Sequence, residues 1–330
     1  MIKKYFLALP ILAFLALLPA LSGPLLLDDQ VHLGPIITWL SNRSDTLELI
    51  FGNNSGPFGR PVSIFSFVLN ANTTGALIWP MKLTNLILHF ITAFCLYKLA
   101  YLLFKRDLNL KANAQIAAFL AASLWLVLPQ HISTVFYVVQ RMTILASLFA
   151  VVACWLFVIA RERIESNGEN GFQFLAGSVV VALLSVLSKE SGLLVPLYLL
   201  LIELVFFAPR AGTPRPIAIA WGFRLGVIYP CVFAAAYLAL NPGFVLAGYI
   251  DRPFSMPERA MTQISVLAGY FASTFIPMVR SAGVFNDDFP IAQQPIDFRP
   301  VIDTILDLLP ELAPRRAGSQ IARNKEVHLL

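Results

Sequence analysis

Charged side chains are scarce in this chain. They make up 13% of its 330 residues, which is about half of the roughly 25% found in soluble domains. Hydrophobic residues make up 58%, and the mean hydropathy is +0.73. A chain this apolar cannot cover its surface with polar groups. The composition therefore excludes an ordinary soluble domain and predicts an integral membrane protein.

Cysteine is also rare, and the common motifs of soluble enzymes are missing. Cys95, Cys154 and Cys231 lie inside apolar stretches without a metal-binding spacing, so we expect them to pack as small hydrophobic residues. The sequence has no zinc signature, P-loop, dinucleotide fingerprint or nucleophile elbow. The net charge of +5 comes largely from basic residues in short loops between apolar runs. This pattern is typical of membrane orientation and does not indicate a nucleic-acid partner.

Long apolar runs recur along the sequence. They cover about residues 5–27, 83–104, 116–129, 142–160, 172–187, 191–208 and 217–240, with a weaker run at 263–279. Because a bilayer needs roughly 20 residues per helix, these runs predict an all-α, polytopic transmembrane bundle of about 8–10 membrane helices. The first run could instead be a cleaved signal peptide. It continues through Leu27, however, which is longer than an ordinary signal core.

The distribution of Lys and Arg predicts the orientation. Nine of these residues occur in the 35 positions of segments 1–4, 105–115, 161–171 and 208–216. The alternate loops hold seven in 93 positions, at 28–82, 130–141, 188–191 and 241–262. Since cytoplasmic loops carry the excess of basic residues, we expect a cytoplasmic N-terminus, and Asp28 and Asp29 then face the outer side, periplasmic or luminal.

The same pattern predicts the domain organisation. Residues 1–300 are expected to form one transmembrane domain, with a large first extracytoplasmic loop at 28–80. Residues 301–330 become polar and basic after Pro310, and we expect them to form a partly disordered C-terminal tail.

Ionisable residues on the predicted outer side fall into a few groups. These are Asp28 and Asp29 directly after the first run, Arg60, His131, Arg141, Lys189 with Glu190, and a second acid pair at Asp287 and Asp288. Because charges near a bilayer are costly, they pair or serve a site by default. Simpler interpretations stay open: the first acid pair could merely end a helix, Arg141 could extend to the lipid headgroups, and Lys189 with Glu190 could form a self-contained ion pair.

Several of these stretches occur in the order found in one enzyme family. They are Asp28-Asp29, Arg60-Pro-Val-Ser-Ile-Phe-Ser-Phe, Leu83 to His89, Pro129 to Met142, Ser188 to Leu200, and Phe285-Asn-Asp-Asp-Phe-Pro290. Over about residues 1–300 the chain resembles the GT-C membrane glycosyltransferases, in the branch of the transmembrane O-mannosyltransferases with tetratricopeptide repeats. Asn286 stands where that family has His. The chain also ends soon after Pro310, where family members usually continue, so we expect a shortened member.

The resemblance, which is to bacterial members of the branch, implies an inverting glycosyltransferase of the bacterial inner membrane with a periplasmic active site. Such an enzyme moves a sugar from a polyprenyl-phosphate donor to a protein, lipid or glycan acceptor on the extracytoplasmic face. A carboxylate takes the proton of the acceptor hydroxyl, and we expect Asp28 or Asp29 in that role. The expected ligands of the donor phosphate are Arg141, Lys189 and Arg60.

Four residues are expected to support this site: Glu190, which would orient Lys189, and His131, Asp287 and Asp288. The second acid pair could hold the acceptor, sugar hydroxyls or a divalent cation through its oxygens, although nothing in the sequence requires a metal or another cofactor. Two other functions stay open. A transporter or flippase would place ionisable groups near the bilayer midplane, and a non-catalytic membrane scaffold would agree with the early C-terminus.

Overall fold

A computed structural model describes residues 8–43, 45–53, 55–75, 77–107, 109–166, 171–207, 216–241, 243, 249, 252–275 and 291. These residues form helices and turns, with no strand among them. The predicted all-α class is therefore confirmed for the described ranges. The chain divides into two units, Met1–Ala235 and Ala236–Leu330, and every site residue discussed below that the structure describes lies in the first.

Four helices of the described ranges are long and apolar enough to cross a membrane. They are Ile78–Arg106, Val138–Glu165, Gly171–Ser188 and Ile219–Leu240. Two shorter apolar helices cover Ala8–Ser22 and Lys111–Val127. The structure thus supports a membrane-embedded helical protein, with fewer candidate spans in the described ranges than the about 8–10 expected from the apolar runs.

The first apolar run forms a shorter helix than expected. Helix α1 covers Ala8–Leu17 and continues as a 3₁₀ turn over Leu18–Ser22. Gly23 is extended, with φ −63° and ψ 161°, because a residue before proline, here Pro24, is disfavoured in the helical region. The acid pair is therefore separated from this helix by a short extended segment.

The predicted first loop is largely helical. It contains α2 (Asp29–Asn42), α3 (Thr46–Phe51) and α4 (Pro61–Thr74). Asp45 begins α3 as an N-cap, since its carboxylate accepts the N–H groups of Leu47 and Glu48. At α4, Pro61 occupies a first-turn position, where its missing N–H leaves no intrahelical bond unmade.

The central helices of the first unit follow. They are α5 (Ile78–Arg106), α6 (Ala114–Val127), α7 (His131–Phe136), α8 (Arg141–Glu165), α9 (Gly171–Ser188) and α10 (Val195–Phe206). Helices α8 and α9 run antiparallel: Ser178 Oγ donates to the Ala153 carbonyl at 2.8 Å and Ser185 Oγ to the Ala146 carbonyl at 2.7 Å. Such small polar residues let membrane helices approach closely.

Two ends of this unit can be distinguished. At what we call the site end, α5 and α8 begin side by side, since Arg141 donates to the Met81 carbonyl at 2.8 Å. At the opposite end α5, α8 and α10 all finish together. There Arg106 donates to the Phe206 carbonyl and pairs with Glu165. Basic residues predicted to be cytoplasmic, such as Arg106 and Arg161, therefore lie at the end remote from the predicted outer residues.

The remaining described helices are α11 (Ile217–Phe223), α12 (Tyr229–Leu240) and α13 (Met256–Phe275). A π-helical segment, Arg224–Ile228, joins α11 to α12. In the second unit, Ser255 and Glu258 form a capping box at the start of α13. The second acid pair, Asp287 and Asp288, and the predicted tail lie outside the described residues.

Candidate functional site

The two neighbouring carboxylates of the first acid pair have different surroundings. Asp29 has 0% of its surface exposed. Its Oδ2 accepts the N–H of Leu26 at 2.9 Å, and its Oδ1 accepts the N–H of Val139 at 2.7 Å. Asp28 is exposed, and its backbone N–H donates to the Tyr137 hydroxyl at 2.8 Å. Of the pair, Asp28 is therefore the carboxylate that a substrate can reach.

A buried lysine fixes the backbone that leads to this pair. Lys82, in the first turns of α5, is 2% exposed. Its Nζ donates to the carbonyls of Gly23 and Pro24, both at 2.9 Å. Lys82 was not among the predicted site residues, although a charge at the start of an apolar run already indicated a structural or functional role.

Tyr137 lies directly beneath the acid pair. Burial raises the pKa of its hydroxyl, and the charges of Asp28 and Asp29 raise it further. The hydroxyl therefore stays protonated and neutral at ordinary pH. This residue was also missed as a site residue, because nothing in its local sequence indicates that it contacts an acid more than a hundred positions away.

Two predicted phosphate ligands come together at the surface of the site end. Arg60 binds Glu190 through Nη2 to Oε2 at 2.8 Å and through Nε to both carboxylate oxygens at 3.1 and 3.2 Å. The two side chains are 21% and 25% exposed. Lys189 extends to Thr143, where its Nζ donates to Oγ1 at 2.7 Å. We expected Glu190 to orient Lys189, but its ion pair is with Arg60.

Backbone geometry explains why Glu190 pairs with Arg60 and not with Lys189. Lys189 is extended, with φ −161° and ψ 150°, and in extended backbone successive side chains point to opposite sides. Burial, followed by the positive charge of Arg60, lowers the pKa of Lys189. Burial disfavours the charged form of Glu190, but the hydrogen bonds and charge of Arg60 outweigh it, so the pKa of Glu190 lies below its ordinary value.

A glycine in the loop before α4 permits the Arg60–Glu190 contact. Gly56 has φ +91°, in the region that favours glycine. A Cβ placed there would collide with Oε1 of Glu190. Glycine at this position therefore allows a close approach between this loop and the start of the segment that follows α9.

One short segment, Tyr137–Thr143, connects the acid and basic groups. Tyr137 and Val139 contact the acid pair, whereas Thr143 accepts the Lys189 hydrogen bond. Met142 adds a contact, since its sulfur lies 3.3 Å from Nη1 of Arg60. With a rise of 1.5–2 Å per helical residue, the segment spans about 11 Å. Residues from distant parts of the sequence thus meet at one end of the first unit.

Arg141 lies inside the unit and not at this surface. Its side chain has 0% exposure, and its guanidinium donates to Asn85 and Asn70 side chains at 2.8 and 2.7 Å. It also donates to the carbonyls of Ser66 and Met81. These contacts join α4, α5 and α8. Its predicted contact with a donor phosphate stays a prediction, and the burial gives that prediction no support.

A cavity of about 580 Å³ lies below the segment. Its lining is mainly apolar and includes Thr143 near the site end and Cys154 deeper in the unit. His131 and Trp125 also line it, with ring centroids 4.6 Å apart. Nε2 of His131 is buried and has no hydrogen-bond partner within the described ranges. Burial, followed by the charge of His89, lowers the pKa of His131 to about 4, so this ring is neutral at ordinary pH.

The described ranges contain no group of three or more His, Cys, Asp or Glu side chains that could hold a metal ion. No protein-family model, curated protein or solved structure matches this chain. The described residues form helices and turns, and four of the helices are long and apolar enough to cross a membrane. At one end of the first unit the Tyr137–Thr143 segment contacts Asp28, Arg60 and Lys189, and Thr143 also lines an apolar cavity.

Proposed function

We propose that this protein is a membrane glycosyltransferase that moves a sugar from a polyprenyl-phosphate donor to a protein, lipid or glycan acceptor. The observation that carries the proposal is the Tyr137–Thr143 segment. Tyr137 at one end accepts the backbone N–H of the exposed Asp28, and Thr143 at the other end accepts from the Lys189 ammonium and lines an apolar cavity. We place this site on the extracytoplasmic face, as the distribution of Lys and Arg predicts.

Asp28 acts as the general base in this proposal. Its carboxylate accepts the proton of the acceptor hydroxyl while the hydroxyl oxygen forms a bond to the anomeric carbon of the sugar. The bond from that carbon to the phosphate oxygen breaks, and its electron pair leaves with the lipid phosphate. Attack from the side opposite the leaving group inverts the anomeric centre. Asp29 serves as a positioning residue, because both of its oxygens accept backbone N–H groups.

Lys189 and Arg60 stabilise the leaving phosphate. A cation beside the departing oxygen is worth most where water is partly excluded, and both side chains are partly buried. Glu190 holds the Arg60 guanidinium in place through its two carboxylate oxygens. The Nζ of Lys189, anchored on Thr143 at the cavity, marks the boundary between the phosphate and the lipid tail.

The apolar cavity supports a lipid-borne donor over a water-soluble one. A nucleotide sugar offers no apolar chain to fill about 580 Å³ of mainly apolar space. A polyprenyl phosphate combines an anionic head with an apolar tail. Its head would lie beside Lys189 and its tail would enter the cavity below Thr143, so one ligand satisfies both features.

The proposal is tested with the purified full chain in lipid nanodiscs. A radiolabelled sugar on polyprenyl phosphate is supplied with a membrane extract as the acceptor source. We expect label to move to the acceptor and free polyprenyl phosphate to accumulate in equal amount. Asp28→Asn should stop both.

Asp45→Asn is a matched control, because Asp45 is another exposed acid of the same loop and Asn also serves as an N-cap. Sugar transfer that persists in Asp28→Asn would remove the base assignment. Movement of intact donor across a sealed proteoliposome without any transfer would favour the transporter instead.

A further inference from the structure

We infer that the cavity has a rigid floor about 16 Å below the site end, formed by Leu99 and Cys154 and supported from the opposite end by Phe207 and two arginines, and that this floor sets how much of the donor tail the protein holds. The inference rests on the proposed function, because the occupant of the cavity is taken to be the isoprenoid tail of the donor. It concerns selectivity for tail length, which the transfer chemistry leaves open.

The depth of the cavity follows from its lining on α8. Thr143 lies at the end next to Lys189, and Cys154 is the last lining residue along this helix. Eleven residues at 1.5 Å each place Cys154 about 16 Å below Thr143. This is about half of the 30 Å hydrocarbon core of a bilayer. The cavity therefore ends well before the opposite end of the unit.

A compact apolar cluster closes the cavity at that depth. Leu99 and Cys154 line the cavity and also pack with Val158 and Phe207 in one buried cluster. Phe207 is 3% exposed. Its ring lies 4.0 Å from the guanidinium carbon of Arg106 and 4.9 Å from that of Arg161, measured to the ring centroid. Two cations thus hold the ring that supports the floor.

The charges around this ring are themselves tied down. Arg161 binds Glu203 at 2.6 and 3.1 Å, and their side chains are 4% and 0% exposed. Arg106 donates to the Phe206 carbonyl at 3.3 Å and to Glu165 at 2.9 Å. Moving Phe207 aside would break contacts of buried charges, which is strongly unfavourable. We therefore expect the floor to stay closed when the cavity fills.

The depth predicts the number of tail units held. An extended chain advances about 3.3–3.6 Å for every three backbone bonds. An isoprene unit contributes four bonds, or about 4.5 Å, so about three units fit in the roughly 16 Å above the floor. Further units must leave sideways into the bilayer. Outside the cavity these units only replace other lipid tails and gain little, whereas each unit inside fills space and gains packing contacts with the cavity wall.

The test measures binding of sugar-free polyprenyl phosphates in a series that lengthens by single isoprene units. The full chain in nanodiscs provides the binding partner, and Kd is plotted against tail length. Kd should fall up to about the third unit and change by less than about twofold afterwards. This assay requires no catalysis, so it reports on the cavity alone.

We call the tail length beyond which Kd stops falling the break. Two variants should shift this break in opposite directions. Ala150→Phe adds a ring to a lining residue one helical turn above Cys154, and the break should shift to tails shorter by about one unit. Phe207→Ala should deepen the cavity and shift it to longer tails. Phe174→Ala is the control, because Phe174 also lies against an arginine, Arg163 at 4.4 Å, without lining the cavity.

An unchanged break in a folded Ala150→Phe protein would overturn the inference, and so would a Kd that does not depend on tail length in a protein that transfers sugar. A clear break that moves as described, in a protein that transfers no sugar, would support the floor and overturn the proposed transferase activity. The two ideas therefore fail separately. Ala150→Phe removes no native contact, so the test does not depend on whether Phe207→Ala folds.

Discussion

The first unit carries an Arg–Glu ion pair at each end, and the two pairs differ in burial. Arg60 and Glu190, at the site end, have side chains 21% and 25% exposed, whereas Arg161 and Glu203, at the opposite end, are 4% and 0% exposed. The first pair has Lys189 beside it, so one positive charge is in excess at a partly exposed surface. The second is enclosed by apolar residues and a second arginine. The same chemistry therefore favours anion binding at one end and structural rigidity at the other.

The largest expected effect separates activity from stability at the site end. Asp28→Asn should reduce sugar transfer by about 10²–10⁴-fold, the usual contribution of a general base. Its thermal unfolding should match the wild type because the exposed carboxylate lies outside the core. Asp29→Asn should instead lower the unfolding temperature, since Asp29 is buried and accepts two backbone N–H groups. Equal effects of the two substitutions on both measurements would contradict the assigned roles.

The buried pair at the opposite end should control stability. Glu203→Ala leaves the buried Arg161 with the exposed and more distant Glu165, at 3.9 Å, as its carboxylate neighbour, which should lower the free energy of unfolding by about 3–5 kcal/mol. Glu165→Ala is the comparison at the same end: Glu165 also lies 3.9 Å from Arg161, but it is 42% exposed and its loss should change stability by less than about 1 kcal/mol. Denaturant titration of the nanodisc protein measures both. A Glu203→Ala protein as stable as the control would show that the two ends do not differ as proposed.

Lys189 should affect donor binding more than turnover. Lys189→Met keeps the apolar stem and removes the charge, so KM for the donor should rise about 10–100-fold, since a hydrogen bond to a charged group contributes about 1.5–3 kcal/mol. Lys111→Met provides the comparison, because Lys111 lies in the 3₁₀ turn after α5, remote from the site. Steady-state kinetics over a range of donor concentrations distinguish KM from kcat. Unchanged values of both KM and kcat would exclude the phosphate-binding role.

Gly56 tests whether the close approach to Glu190 matters. Gly56→Ala should destabilise the protein by about 1–2 kcal/mol through backbone strain and should also raise KM, because the added Cβ displaces Glu190 from Arg60. Gly75→Ala is a matched control: Gly75 also has a positive φ, +68°, but no atom lies within 4 Å of its Cβ position. The control should show the strain without the change in KM. Identical kinetics of the two variants would show that the position of Glu190 does not affect donor binding.

The smallest effect concerns pH. The pKa of Glu190 lies below its ordinary value of 4.5, so the ionised pair with Arg60 stabilises the fold above that pH. This contribution is lost as the pH falls through the lowered folded-state pKa. Because both side chains are partly exposed, we expect it to amount to less than about 1 kcal/mol. Below pH 4.5 the free energy of unfolding should therefore fall less steeply with pH in Glu190→Gln than in the wild type. The same pH dependence in both proteins would contradict the assigned pair.

Helix positions were largely predictable from the sequence. The runs at 83–104, 142–160 and 172–187 each lie inside a candidate membrane helix, because length and hydropathy are local properties. The gathering of predicted outer residues at one end also agrees with the expected alternation of helix direction. The first run was expected to be helical up to the acid pair. Gly23, before Pro24, is instead extended and separates the acid pair from α1.

The roles within the site were much less predictable. Asp28 and Asp29 are neighbours of the same residue type, yet one is exposed and the other is held by Val139, far along the chain. Arg141 and Arg60 were both expected to bind phosphate, but the side chain of Arg60 is partly exposed and Arg141 is fully buried. Whether a charged residue is accessible depends on which distant segments pack around it, and no local pattern encodes that.

The sequence by itself determined the membrane class, the places where helices form and the grouping of charges between them, since these follow from composition and spacing. Only the tertiary structure decided which carboxylate is exposed, that Glu190 binds Arg60, and that the cavity stops at Leu99 and Cys154. These features depend on contacts between helices far apart in the chain. Burial and hydrogen-bond partners arise only once those helices have packed.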